Sequence, residues 1–192
     1  MEPQTQKLYC YVDETGQDTL GELFIVAVFV TAERRDELAG KLETIEATSG
    51  KGRVKWIRSR PAARLAYMKS VLASPGFRQT LCYSVYRATK SYMALTVLST
   101  ARAILSISPP PSQTTVYVDG LPKSRLRWFA TELRHLSIRN GKVVGVRREE
   151  SDVFIRLADA VAGFVRGAMS GQQPEMAELF ARGRSEGFLK EI

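Results

Sequence analysis

Side chains alternate from Lys7 to Asp13, with Tyr9, Tyr11 and Asp13 on one side and Cys10 and Val12 on the other, which predicts a strand. Glu14 to Asp18 reads as a turn. The β-branched and aromatic run from Leu20 to Thr31 predicts a second strand, so the pair forms a hairpin. Over residues 32–47 the apolar period lengthens, with Leu38, Leu42 and Ile45 at three-and-four spacing, which predicts a helix with Thr31 as its N-cap. Ser49-Gly50-Lys51-Gly52 breaks the chain before a short Val54–Ile57 segment. Pro61 opens a helix to Ala73, and Ser74-Pro75-Gly76 ends it.

Phe77 to Ala88 predicts a third strand, followed by a helix from about Ser91 to Leu105 and a stiff Pro109-Pro110-Pro111 connector. Thr114 to Asp119 is short and apolar, as a buried parallel strand should be. A helix over Lys123–Ser137, a strand over Lys142–Val146 and a helix from Ser151 or Asp152 to Met169 follow. The Gly-punctuated stretch after Ser170 carries one short helix near Glu175–Ala181. With residues 32–76 set aside, the order is three strands, then helix and strand in alternation. That is the order of an α/β RNase H-like fold: a mixed sheet of an antiparallel meander followed by parallel βαβ units, helices on both faces and a helical insertion after the second strand. The expected organisation is one domain over 1–192, an insertion at 32–76 and a tail at 170–192.

With 192 residues, 44% of them hydrophobic, the chain suffices for one core domain with an insertion. The longest apolar run, Leu23 to Val30, is too short to span a bilayer, and no basic leader precedes an apolar segment. A soluble cytoplasmic protein without a membrane partner is expected. Two cysteines, Cys10 and Cys82, exclude a disulfide framework and a Cys-rich zinc site. The single histidine, His135, belongs to a helix surface, and no Ser-His-Asp set or His-x-x-x-His pair can be built around it.

Charge is strongly segregated. Residues 51–148 hold nineteen Lys and Arg against two acids, Asp119 and Glu132, a surplus of +17 within a chain of net charge +8. So basic a segment points to a polyanion, DNA or RNA, bound through release of phosphate counterions. Lys51, Arg53, Lys55, Arg58, Arg60 and Arg64 surround Trp56, and Lys123, Arg125 and Arg127 precede Trp128. Basic residues interleaved with an aromatic suit backbone tracking with base stacking, although such runs also occur as plain solvated faces.

Within this basic setting Tyr-Val-Asp occurs twice, at Tyr11-Val12-Asp13 and Tyr117-Val118-Asp119, each closing an apolar run before a turn. A carboxylate at a strand end must be paired, hydrated or bound to a cation to offset its desolvation. On neighbouring strands roughly 4.8 Å apart, the two aspartates can ligate one hard cation, with Mg²⁺ or Mn²⁺ the natural candidates. The last long helix offers a third acid, Asp152 or Asp159, about 10 Å apart along the helix rise and so not ligands of the same ion. Asp152 doubles as an N-cap, whereas Asp159 lies mid-helix among apolar residues, where burial without a partner is costly. Asp159 is the favoured ligand.

Tyr-Val-Asp-Glu-Thr-Gly, Val-Asp-Gly and Ile-Arg-Leu-Ala-Asp-Ala-Val-Ala-Gly, in that order, resemble the motifs of the RNase H-like family known as domain of unknown function thirty-eight hundred, usually Asp-Glu-Ser-Gly and Leu-Gln-Leu-Ala-Asp. The resemblance implies that Asp13, Asp119 and Asp159 take the metal-site positions, with Glu14 beside them. It also matches Lys55 to a lysine that the family often places after an acid; here Arg53-Val54-Lys55 lacks that acid, and Arg156 stands in place of glutamine. The implied machinery is that of a nuclease using a two-metal mechanism. Glu14 is then either a base or a turn residue, and Lys55 either a phosphate contact or a solvated lysine. Two other readings remain open, a non-catalytic nucleic-acid-binding module on the same fold and a phosphatase or phosphotransfer enzyme, although Thr15 breaks the Asp-x-Asp spacing of one such group.

Overall fold

The computed structural model describes residues 6–107, 112–147, 152–171 and 173–192. A six-stranded sheet in the order β5-β4-β1-β2-β3-β6 runs through the molecule. β1 (Gln6–Thr15), β2 (Phe24–Thr31) and β3 (Leu81–Tyr86) form an antiparallel meander. β4 (Ser112–Asp119) then lies parallel to β1, and β5 (Asn140–Val146) parallel to β4. Every residue of β2 is buried, which is why its run is almost wholly β-branched or aromatic and shows no alternation.

Two cores flank the sheet. On one face Tyr11, Phe29 and Tyr83 pack against α1 (Arg35–Thr48), α2 (Pro61–Leu72), α5 (Val153–Met169) and α6 (Pro174–Ser185). On the other, Cys10, Val12 and Val28 pack against α3 (Tyr92–Ile107) and α4 (Lys123–His135). Both cysteines are buried and unbonded to each other. α5 is the most deeply buried helix because apolar residues recur all along Val153–Val165, and it crosses β1 and β2 directly. Among the described residues no helix is long and apolar enough to cross a membrane.

Several boundaries differ from the sequence expectations. Thr31 ends β2 and caps nothing: α1 starts at Arg35, and Arg34 precedes it without a side-chain cap. Leu20 is 80% exposed with φ 53°, so it belongs to the turn and β2 begins at Phe24. Phe77 is the buried residue of a 3-10 turn over Pro75–Phe77, and β3 starts only at Leu81. The residues after Ser170 form a longer helix than expected, α6, and then β6 (Leu189–Glu191), which adds to the sheet parallel to β3. A three-residue strand is too short for periodicity to reveal. The Pro109-Pro110-Pro111 connector lies outside the described residues.

Residues 32–76 carry α1, a 3-10 turn at Trp56–Arg58 and α2, and contribute Leu42, Tyr67 and Met68 to the core beneath α5. A buried ionic cluster ties this segment down. Arg156 of α5 donates from Nε and Nη2 to the two carboxylate oxygens of Glu46 on α1, both at 2.7 Å, and both residues are 2% exposed. Lys51, equally buried, places Nζ 3.7 Å from Glu46 Oε1, donates to the Val54 carbonyl at 3.0 Å and sits over the Tyr67 ring. Desolvation lowers the Lys51 pKa, and the Glu46 carboxylate opposes that shift. The Glu46 carboxylate is thus shared by two buried cations. Glu46→Gln keeps the shape but removes the counter-charge, and is expected to cost about 3–5 kcal/mol, read as a fall in the urea unfolding midpoint with an unchanged slope.

Candidate active site

The two Tyr-Val-Asp segments lie side by side. β1 and β4 pair in register, Tyr11 with Tyr117 and Val12 with Val118, so Asp13 and Asp119 leave the sheet together at the same edge. Tyr11 stacks on Tyr117 with ring centroids 4.9 Å apart and an interplanar angle of 7°, which fixes the register. Strand alternation then sends both aspartates to the α5 face, the face of the tyrosines. Asp13 is 8% exposed, and its Oδ1 accepts the Glu14 backbone N–H at 2.8 Å. Glu14 points toward the opposite face, that of Val12, and its Oε1 accepts from Gln17 Nε2 at 3.1 Å. The chain can fold back after Glu14 because Gly16 takes φ 103°, and a Cβ there would collide with the Leu23 carbonyl.

The third acid comes from α5. Asp159 lines the same cleft as Asp13, Glu14 and Asp119, and its Oδ2 accepts the Trp56 backbone N–H at 2.6 Å. That bond requires the 3-10 turn to lie hard against α5, which Gly163 permits: any Cβ at 163 would run into the Trp56 indole. Trp56 is thereby buried to 7% exposure, with the Arg64 guanidinium over its ring. Lys55, one residue earlier, lines the cleft.

Mutual repulsion marks this edge of the sheet. Burial first, and then the carboxylates of Asp119, Asp159 and Glu14, push the Asp13 pKa well up. Burial and the Asp119 carboxylate push Glu14 up to about 7. Among the described residues, no group of three or more His, Cys, Asp or Glu side chains is set to hold a metal ion as it stands. The chemistry of the donors nevertheless fits a hard divalent cation. All are carboxylate oxygens, their repulsion is of the kind a cation relieves, and Glu14 Oε2 is buried without a hydrogen-bond partner.

The structure does not bring every candidate to this place. Asp152 is the N-cap of α5, its Oδ1 accepting the backbone N–H groups of Phe154 and Ile155 at 2.8 and 3.2 Å; it lines a separate cavity beside Arg35 and Arg53, too far along the helix to join Asp159. Lys51 and Trp56, expected to contact nucleic acid, are corrected by their burial, the first in the Glu46 cluster and the second against Gly163. Arg53 is exposed, lines the Asp152 cavity and lies 3.7 Å from Glu43. Arg58 and Arg60 are exposed around the 3-10 turn, and Lys123 and Arg127 on α4; none of the four lines the acidic cleft. Arg125 and Trp128 do line it. So do Gln17, Lys90 and Tyr92, which belong to no motif in the sequence. The signal was topological: β3 runs in the same direction as β1, so the loop after Tyr86 emerges at the edge that carries Asp13.

No family model matches the chain, and no curated protein matches its sequence. Solved structures do resemble it. Ribonuclease H2 from Pyrococcus horikoshii OT3 aligns with a TM-score of 0.52 at 14% identity, over 92% of this chain and 99% of that one. Bst-RNase HIII in complex with Mn²⁺ aligns with a TM-score of 0.50 at 14% identity, over 96% of this chain and 64% of that one, and a mutant of the same enzyme gives 0.53 with the same coverage. The fold is RNase H-like.

The raised carboxylate pKa values carry a pH dependence. An unfolded Glu titrates near 4.3, and Glu14 in the folded protein near 7. Between these values Glu14 holds more protons in the folded state than in the unfolded one, so its contribution to stability falls as pH rises through that window, and the raised Asp13 carboxyl adds to the decline with the same sign. With a chelator present, the urea midpoint should decline from about pH 4.3 to about 7, and Glu14→Gln should flatten the decline; a wild-type midpoint that rises across the window would contradict it.

Proposed function

We propose that this protein is a metal-dependent nuclease that hydrolyses phosphodiester bonds of DNA or RNA. The observation that carries the reading is the gathering of Asp13, Asp119, Asp159 and Glu14 from three separate elements around one cleft, at the edge of an RNase H-like sheet where two parallel strands end together. The Mn²⁺ complex of a structural neighbour with the same fold supports the choice of metal. The resemblance of the Asp-Glu-Thr-Gly, Val-Asp-Gly and Leu-Ala-Asp segments to the family of domain of unknown function thirty-eight hundred supports the choice of acids.

On this reading Asp13, Asp119 and Asp159 would hold Mg²⁺ or Mn²⁺. When bound, such ions activate water for attack on phosphorus and neutralise the leaving oxygen. The chain's own groups do the rest. The Trp56 N–H fixes the rotamer of Asp159, and the Glu14 N–H does the same for Asp13. Glu14, pushed up to about 7, lines the cleft and can take or return a proton there. Lys55, Lys90 and Arg125 supply positive charge around the acids, which draws in a phosphate backbone and offsets repulsion between it and the carboxylates.

Asp13→Asn and Asp119→Asn should each lower cleavage of a DNA and RNA panel in Mg²⁺ or Mn²⁺ by at least a hundredfold, on the order of 3 kcal/mol of transition-state stabilisation, while the circular dichroism spectrum is unchanged. Titration calorimetry should show divalent-ion binding to the wild type and its loss in both variants. Salt-sensitive binding retained by wild type and variants alike, with cleavage by none, would identify a binding module instead.

A further inference from the structure

The acidic cleft does not stop at the carboxylates. It encloses about 830 Å³ and passes across the ends of β1 and β4 to the opposite face of the sheet, where its wall is made by the start of α3 and the first turns of α4. The character of the lining changes on the way. Asp13, Asp119 and Asp159 occupy the α5 side, whereas Lys90, Tyr92, Met93, Arg125 and Trp128 form the far side. Lys90 and Arg125 are exposed, and Tyr92 and Trp128 are half-buried, packed against the α3–α4 core while still lining the cleft. The Tyr92 ring is braced by Phe24, with centroids 4.8 Å apart.

We infer that this far side is a stacking subsite for an unpaired nucleobase, so that the strand presented to the acids is single-stranded DNA or RNA. The inference rests on the nuclease reading for the role of the acids, and on separate observations for the subsite. Two half-buried aromatic side chains and a polarisable Met lining the cleft beside two cations match the two parts of a nucleotide, a flat base and an anionic phosphate. Charge complementarity selects the occupant: the basic wall favours a phosphodiester strand. The cleft volume lies within the roughly 300–1,000 Å³ range of sites that enclose a small molecule, which suits a nucleotide or two entered end-on. A base in a duplex already stacks on its neighbours and pairs with its partner, and has no face to offer Trp128 unless it is splayed out.

Anisotropy of labelled pyrimidine dodecamers, as DNA and as RNA single strands and as blunt duplexes of the same sequence, tests this on the full chain in EDTA, where nothing is cleaved. Single strands should bind roughly ten-fold tighter than duplexes, Trp128→Ala should erase most of that margin, and Trp128→Phe should keep it. Single strands should also quench indole fluorescence in the wild type and not in Trp128→Phe, which leaves only the buried Trp56. If Trp128→Ala does not fold, Trp128→Leu, which keeps apolar bulk but offers no flat ring, reads the same margin. Equal affinity for single strand and duplex, or a margin untouched by either substitution, overturns the inference. A single-strand preference in a protein that cleaves nothing in Mg²⁺ or Mn²⁺ would preserve the subsite and remove the nuclease reading; duplex cleavage indifferent to Trp128 would do the reverse.

Discussion

Parallel pairing of β1 with β4, locked by the stack of Tyr11 on Tyr117, is the contact on which everything else depends. A strand's side chains alternate, so a slip of one residue between these strands would turn Asp119 to the wrong face of the sheet. The stacked tyrosines oppose such a slip from inside the core, immediately behind the acids. Phe154 of α5 packs on Tyr11 in turn, with ring centroids 4.8 Å apart, so the same aromatic group that holds the register also seats the helix that delivers Asp159.

The cost of this arrangement falls on the folded state. Buried carboxylates with raised pKa values oppose folding at neutral pH, and the scaffold around them must supply the difference. Much of that scaffold is residues 32–76. The Glu46–Arg156–Lys51 cluster joins α1, the loop at 50–54 and α5, and the loop in turn places the Trp56 N–H on Asp159. Arg156, which stands where the resembled motif has glutamine, is accordingly a cross-brace between α5 and α1, one helical turn from the acid it helps to place.

The amount legible in the sequence follows from the range of the signal. Alternation around Asp13, the apolar run before Asp119 and the cap at Asp152 are local patterns, and each was readable at its own position. The order of strands and helices then sufficed to make β1 and β4 neighbours. What escaped was set by contacts between residues far apart in the chain. Lys51 and Trp56 look like a basic surface interrupted by an aromatic, yet both are buried, because Glu46 and Gly163 wait for them elsewhere in the sequence. Lys90 and Tyr92 carry no motif at all and reach the cleft only through the direction of β3. The short β6 lies below the length at which any period can be counted.

The acids of the cleft are also widely spaced in order of synthesis. Asp13 and Glu14 leave the ribosome first and Asp119 much later, while Asp159 arrives on a helix that must dock across strands already made. Until α5 packs down, the Trp56 N–H has no carboxylate to hold and Arg156 cannot reach Glu46. A nascent or partly folded chain therefore lacks the complete acidic constellation, which exists only once α5 has docked across β1 and β2 and brought Asp159 against the Trp56 N–H.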